Sequence, residues 1–187
     1  MTGAPAPSRP PPVLVAGIGN VFRRDDGFGV ETVQHLARRG PGALPPGTEL
    51  MDVGIRGLHL AYRLLDGWGT LVLVDAVHRD GPPGTLYTID AGRPAEYAQY
   101  DDGTESGGGP GELDGHAMDP AAVLRLARNL QAAMGGTLPE RLHVVGCEPG
   151  DVGDGLGLTP PVAAAVDRAA DLVADLARRA ALTATRS

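Results

Sequence analysis

Apolar and polar residues follow one another along this chain with a spacing that alternates between that of strands and that of helices. Short apolar runs, which are typical of buried strands, occupy Val13–Ala16 and Thr70–Ala76. Between Gly27 and Arg39 the apolar residues recur every three or four positions, which predicts an amphipathic helix. Such alternation is typical of a mainly parallel sheet whose strands are joined by helices.

The spacing of apolar and polar residues along the rest of the chain predicts three more strands and three more helices. The other predicted strands are Thr48–Val53, Gly84–Ile89 and Arg141–Cys147, and the other predicted helices are Leu58–Leu65, Asp119–Met134 and Pro161–Ala180. Asp119 is the expected N-cap of its helix, with Pro120 at the first helical position. The expected fold class is α/β, a three-layer α/β/α arrangement with a twisted, mainly parallel five-stranded sheet, in which the first and third strands are neighbours at the centre.

The length of 187 residues fits a single domain, which we expect to span residues 13–182. Residues 1–12, MTGAPAPSRPPP, are rich in proline and lack the apolar segment of a secretory signal, so we expect a disordered tail. Residues 91–113 contain DDGTESGGGPGE and are predicted to form a mobile loop. No apolar run approaches the ~20 residues of a membrane span.

Composition removes several kinds of chemistry and of partner. A net charge of −7 argues against nucleic acid or an anionic membrane as partner. All 16 basic residues are arginine, which excludes a P-loop lysine or a lysine Schiff base. The few serines lie outside any strand-to-helix turn, so a serine hydrolase is not expected. The single cysteine, Cys147, fits a reducing cytoplasm. Carboxylate and imidazole chemistry remains.

Acidic residues stand where the predicted strands end. Asp26 follows the first strand, Asp52 and Asp75 end the second and third, and Glu148 follows the fifth. Because ligands of such sheets bind at the carboxyl ends of the strands, these acids are expected along one edge. His116 lies between the predicted loop and a helix start, within reach of that edge. Two carboxylates and one imidazole suit a divalent ion such as nickel, cobalt or zinc.

The turn GIGNVFRRDDGFG, residues 17–29, has glycines that suggest a phosphate loop, but its details contradict that interpretation. A dinucleotide-binding GxGxxG motif would need glycine at position 22, which is Phe22. Asp25 and Asp26 would also repel a pyrophosphate. The turn is therefore expected to serve a cation.

The stretch GIGNVFRRDDGFGV resembles the opening motif of the hydrogenase maturation endopeptidases. The resemblance continues, in the same order, through Asp52–Gly57, Val74–Ala76, Pro83–Thr85, the His116 segment, Val145–Pro149 and Gly157–Pro160. Members of this family remove a short C-terminal extension from the large subunit of nickel–iron hydrogenase after nickel insertion. The resemblance therefore implies a cytoplasmic endopeptidase whose partner is the hydrogenase large-subunit precursor.

The resemblance also implies a set of site residues. The family's three metal ligands fall on Asp26, Asp75 and His116. Nickel is expected to arrive with the substrate, so the site of the isolated enzyme is expected to be empty or weakly occupied. Asp52, outside the ligand set, is the candidate catalytic carboxylate, since it can orient or deprotonate water.

The segment that follows Asp52 carries two candidate substrate-binding residues, Gly54 and Gly57, since it is similar to the family's D-G-G-T-x-G loop. Val53 and Ile55 replace a glycine and the threonine of that loop, which removes a hydroxyl group and stiffens the backbone.

Three other residues have simpler interpretations. Asp25 is expected to be a solvated or helix-capping acid. His78 is expected in a turn, and Cys147 is not expected to be a nucleophile, because the G-x-C-x-G pattern is absent. Two other functions stay open at this point, a non-catalytic nickel-sensing maturation chaperone and a nucleotide-binding α/β domain. The missing GxGxxG motif and the missing lysine disfavour the second.

Overall fold

A computed structural model of the chain describes residues 12–94 and 120–183. Within them the strands form one five-stranded sheet with the order β2-β1-β3-β5-β4. The strands are β1 (Val13–Ile18), β2 (Thr48–Gly54), β3 (Thr70–Ala76), β4 (Leu86–Asp90) and β5 (Arg141–Cys147). All neighbours are parallel except β4, which runs antiparallel to β5. The predicted sheet is confirmed, with β1 and β3 adjacent.

Helices cover both faces of this sheet. They are a 3-10 helix (Arg24–Gly27), α1 (Phe28–Arg38), α2 (Gly57–Arg63), α3 (Pro120–Met134), α4 (Pro160–Ala163) and α5 (Val166–Thr183). Helices α2 and α3 pack against each other on one face, and α1 and α5 on the other. The predicted three-layer α/β/α fold is therefore confirmed. None of the described helices is long and apolar enough to cross a membrane.

The core consists of two apolar layers that share the strands of the sheet. Along β3, Leu71 and Leu73 face α2 and α3, while Val72 and Val74 face α1 and α5. Both faces of this strand are buried, which explains why its sequence is a continuous apolar run rather than an alternating one. The position of β3 between β1 and β5 fixes the end of the strand, where Asp75 lies.

Several element boundaries differ from the prediction, most by one or two residues, and two of the differences have a clear local cause. Strand β4 begins at Leu86 rather than Gly84, because Thr85 donates hydrogen bonds from its amide and its hydroxyl to the carbonyl of Pro82 and closes a turn. The predicted last helix is divided into α4 and α5, because the amide of Ala165 bonds to Val162, only three residues back, and tightens the chain.

Several predictions fall wholly or partly outside the described residues. They are the tail at 1–12, most of the loop at 91–113, the Asp119 cap and His116. The domain bounds of 13–182 stay a prediction.

Candidate functional site

The candidate site lies at the carboxyl edge of the sheet, where β2, β1 and β3 end side by side. In the register of the strands, Gly17 of β1 lies opposite Asp52 of β2 on one side and Val74 of β3 on the other. Asp75 follows Val74 directly. The sequence-based expectation that Asp52 and Asp75 share one edge is confirmed.

Glycines allow the turn after β1 to lie directly on this edge. Gly19 has φ +128°, and a Cβ there would lie 1.7 Å from the main-chain oxygen of Asp26. A Cβ at Gly29 would lie 2.1 Å from the main-chain oxygen of Val74 and 2.3 Å from that of Ile18. Both positions therefore exclude any larger residue. These glycines permit close packing of the turn and of α1 on the ends of β1 and β3.

Asp26 is held in this turn by one of its two carboxylate oxygens. The main-chain amide of Asn20 donates to Oδ2 of Asp26 at 2.9 Å, and the amide of Asp26 donates to the carbonyl of Arg23 at 3.1 Å. Within the described part of the chain, Oδ1 of Asp26 accepts no hydrogen bond. The side chain is half-buried. One oxygen therefore orients the carboxylate and the other is available to a ligand.

Asp75 is nearly buried at the end of β3, with 9% of its surface exposed. Its Oδ1 accepts a hydrogen bond of 2.8 Å from the amide of Ala76. The 3-10 helix that carries Asp26 contacts β3, so the structure brings the segments of Asp26 and Asp75 together at one edge. In residues 12–94 and 120–183, no three side chains of His, Cys, Asp or Glu form a group that could hold a metal ion. His116, the predicted third ligand, lies outside those ranges.

Asp52 lies on the opposite side of β1 from Asp75. Its Oδ2 accepts a hydrogen bond of 3.0 Å from Nε2 of Gln34 on α1, which fixes the carboxylate. The amide of Gly19 donates to the carbonyl of Gly54 at 3.2 Å and joins the end of β2 to the turn after β1. Gly57 is buried at the start of α2. The roles of Asp52, Gly54 and Gly57 stay predictions.

Asp25 contradicts its sequence-based interpretation. It was expected to be solvated or to cap a helix, yet its surface is 0% exposed. Its carboxylate accepts four hydrogen bonds, from the amides of Gly150 (2.8 Å), Asp151 (2.9 Å) and Thr159 (2.6 Å) and from the hydroxyl of Thr159 (2.8 Å). Burial raises the pKa of Asp25, but these bonds lower it more, so the pKa lies below its ordinary value of 3.8.

Glu148, directly after β5, is also a buried acid. It accepts hydrogen bonds from the hydroxyl of Tyr87 (2.9 Å) and the amide of Arg79 (2.8 Å). Burial raises the pKa of Glu148, but these bonds lower it more, and the pKa lies below its ordinary value. The side chain thereby fixes the segment that follows β3. His78 is exposed beside it, with Nδ1 3.7 Å from Oε1 of Glu148.

Cys147 behaves as the sequence indicated. The thiol is fully buried, and burial raises its pKa to about 12. The sulfur is therefore protonated at neutral pH and is a poor nucleophile.

Several known proteins are similar to this chain in sequence and in structure. A family model described as hydrogenase maturation protease matches residues 30–176. The hydrogenase expression/formation protein HupD of Rhodobacter capsulatus is 34% identical over 160 residues, which cover 85% of this chain and 68% of HupD. HoxM of Cupriavidus necator is 32% identical over 168 residues, covering 89% of this chain and 74% of HoxM.

Two solved structures are similar over nearly the whole chain. The hydrogenase maturating endopeptidase HybD from E. coli has a TM-score of 0.66 and 28% identity, covering 90% of this chain and 93% of HybD. A hydrogenase 2 maturation peptidase from a Thaumarchaeota archaeon has a TM-score of 0.60 and 27% identity, covering 88% of this chain and 97% of that one.

Proposed function

The chain belongs to the family of hydrogenase maturation proteases, and we propose that it removes the C-terminal extension of a nickel–iron hydrogenase large-subunit precursor after nickel insertion. The observation that supports this most directly is the contact between the turn that carries Asp26 and strand β3, which carries Asp75 at its carboxyl end. Both segments lie at the edge where sheets of this kind bind their ligands.

We propose that nickel is part of what this site recognises and that it enters with the precursor. The donor chemistry fits, since Oδ1 of Asp26 accepts no hydrogen bond among the described residues, and Asp75 adds a second carboxylate at the same edge. Carboxylates combined with an imidazole suit nickel. Asp26, Asp75 and His116 would hold this ion, which when bound would supply Lewis-acid chemistry for a neighbouring peptide carbonyl.

The proposed third ligand is His116, and the direction of α3 supports this choice. After α3 ends, the amide of Thr137 donates to the carbonyl of Leu65 at 2.9 Å, just before β3 begins at the amino edge of the sheet. Helix α3 packs along α2 and has 15 residues, about 22 Å at 1.5 Å per residue. Its first residue, Pro120, is therefore directed towards the carboxyl edge. His116 precedes it by four positions in the sequence.

We assign Asp52 the role of the base. The hydrogen bond from Gln34 holds Oδ2, which leaves the other oxygen to orient or deprotonate the attacking water. The water oxygen bonds to the scissile carbonyl carbon, the C–N bond breaks, and the proton goes to the leaving amine. In this proposal Gly54 belongs to the substrate-facing loop beside Asp52, and the buried Gly57 ends that loop where α2 begins.

Exposed apolar side chains near the site suit a polypeptide substrate. Phe22 is 68% exposed and Leu156 75%. Their segments are adjacent, since the amide of Gly155, the residue before Leu156, donates to the carbonyl of Phe22 at 2.8 Å. Ile55, which follows Gly54, is 47% exposed. We propose that these residues contact the precursor and that processing takes place in the cytoplasm.

Incubation with purified large-subunit precursor tests this function. Nickel-loaded precursor should lose the mass of its C-terminal extension, whereas nickel-free precursor should stay intact. If the chain were instead a non-catalytic nickel-sensing chaperone, it would bind the loaded precursor in a pull-down and leave its mass unchanged. Equal cleavage of loaded and nickel-free precursor would contradict nickel recognition while leaving the protease activity in place.

A further inference from the structure

We propose that Asp25 is a positioning residue, which sets the direction of Asp26 by tying the turn after β1 to the segment between β5 and α4. The proposal rests on the proposed role of Asp26 as a ligand. Asp25 itself is fully buried and does not face the substrate. Its effect on the reaction must therefore pass through its neighbour.

The carboxylate of Asp25 joins segments that are far apart in the sequence. Its four hydrogen bonds come from Gly150, Asp151 and Thr159, which lie 125, 126 and 134 positions away. Oδ2 accepts three of them and Oδ1 accepts the fourth. Three of the donors are main-chain amides, so the course of the segment fixes their positions, and the fourth is the short side-chain hydroxyl of Thr159.

Main-chain bonds extend this attachment along the turn. The amide of Asp25 donates to the carbonyl of Asp151 at 3.1 Å, and the amide of Arg24 donates to the carbonyl of Gly155, also at 3.1 Å. Arg24 has φ +45°, a left-handed conformation that residues other than glycine rarely adopt. The bonds to residues 151 and 155 therefore hold the turn in a shape that it would not favour alone.

Asp26 is one peptide bond beyond this attachment. Among the described residues, two hydrogen bonds hold Asp26 locally: its amide donates to the carbonyl of Arg23, and its Oδ2 accepts from the amide of Asn20. Neither contact joins the turn to the rest of the protein. A change in the backbone at Asp25 would therefore rotate Asp26 relative to Asp75.

The Asp25→Asn variant tests this with little change of shape. The new amide group donates rather than accepts, so it opposes the amides of Gly150 and Asp151 or the donors of Thr159. The matched control is Asp151→Asn, which removes the same charge from the same segment. The side chain of Asp151 is 47% exposed, and its 3.4 Å ion pair with the half-exposed Arg24 contributes little. The control leaves the main-chain bonds of Asp151 to Asp25 intact.

Two readouts separate positioning from a merely structural role. The first is the NMR amide resonance of Asn20, which reports on its hydrogen bond to Asp26 in the folded protein. The second is kcat/KM for nickel-loaded precursor. Asp25→Asn should move the Asn20 resonance towards its position in Asp26→Asn and lower kcat/KM by about tenfold to a hundredfold. Asp151→Asn should change kcat/KM by less than about twofold and leave the resonance in place.

A folded Asp25→Asn protein with a wild-type Asn20 resonance and normal kcat/KM would overturn the proposal. If this variant fails to fold, Thr159→Val decides, because it removes only the hydroxyl donor, while Thr159→Ser retains it. Thr159→Val should shift the Asn20 resonance and lower kcat/KM, and Thr159→Ser should do neither. No shift in Thr159→Val would equally overturn the proposal.

Measurements on Asp25→Asn and Asp26→Asn side by side distinguish a failure of this proposal from a failure of the proposed function. If Asp25→Asn moves the Asn20 resonance but Asp26→Asn still processes precursor normally, the positioning geometry stands and the ligand role of Asp26 is wrong. If Asp26→Asn is inactive and Asp25→Asn behaves as wild type, the function stands and the positioning role is wrong.

Discussion

At the carboxyl edge of the sheet, Asp25 and Glu148 are buried and accept hydrogen bonds from main-chain amides, whereas at the amino edge Glu49 and Asp66 are exposed and pair with Arg63. A buried carboxylate depends on every donor around it, because the lost hydration must be replaced. An exposed ion pair contributes little to stability, because water can solvate each partner when the other is lost. The two edges should therefore respond to mutation very differently.

The two edges also differ in what their carboxylates hold in place. Arg63 pairs with exposed side chains and stacks over Trp68, with its guanidinium carbon 5.1 Å from the ring centroid. By contrast, Asp25 and Glu148 fix main-chain segments that flank Asp26 and Asp75. Metal recognition and peptide hydrolysis both need accurately placed groups, and main-chain donors provide that accuracy.

The largest expected effect on stability is that of Asp25→Asn. Because this substitution leaves at least one buried donor unpaired, it should lower the free energy of unfolding by about 2–4 kcal/mol. The amino-edge control, Glu49→Gln, should change it by less than about 1 kcal/mol. Urea denaturation measures both values. Equal stabilities for the two variants would remove the distinction between the edges.

A smaller effect is expected for the exposed apolar residues. Replacing Phe22 or Leu156 by serine should raise KM for the precursor by about five- to tenfold, since each loses about 1 kcal/mol or more of apolar contact. The control is Met134→Ser. Met134 is 66% exposed but ends α3 at the amino edge. Steady-state processing assays measure KM, and a rise for Met134→Ser of the same size would show that the surface effect is not specific to the carboxyl edge.

The smallest effect concerns pH. The folded-state pKa of Asp25 lies below its ordinary value of 3.8, so its contribution to stability is present above that value and is lost as pH falls through the folded-state pKa. The stability difference between wild type and Asp25→Asn should therefore be constant between about pH 7 and pH 5 and should shrink below about pH 4. Denaturation curves at each pH test this. If the stability difference already shrinks at pH 6, a titrating group other than Asp25 causes the pH dependence.

Much of the fold could be predicted from the sequence because its signals are local. Strands β3 and β5 were predicted with the bounds that the structure has, since apolar runs buried on both faces are distinct. The edge shared by Asp52 and Asp75 follows from parallel strands alone.

The role of Asp25 could not be predicted in the same way. Its partner Thr159 lies 134 residues away, and no spacing rule connects such positions. The one local signal was the Asp25-Asp26 pair itself, because two adjacent acids in a packed turn indicate that one of them is paired. The 3-10 helix that contains both Asp25 and Asp26 was not predicted either.

The central claim is that Asp26, Asp75 and His116 together recognise nickel in the precursor and thereby permit cleavage. Mass spectrometry of nickel-loaded precursor after incubation with Asp26→Asn, Asp75→Asn or His116→Ala tests it most directly, with His78→Ala as the control for an exposed histidine near the same edge. We predict that the three ligand variants leave the precursor at its full mass, while His78→Ala removes the extension as the wild type does. Wild-type cleavage by His116→Ala, together with an inactive His78→Ala, would contradict the assignment.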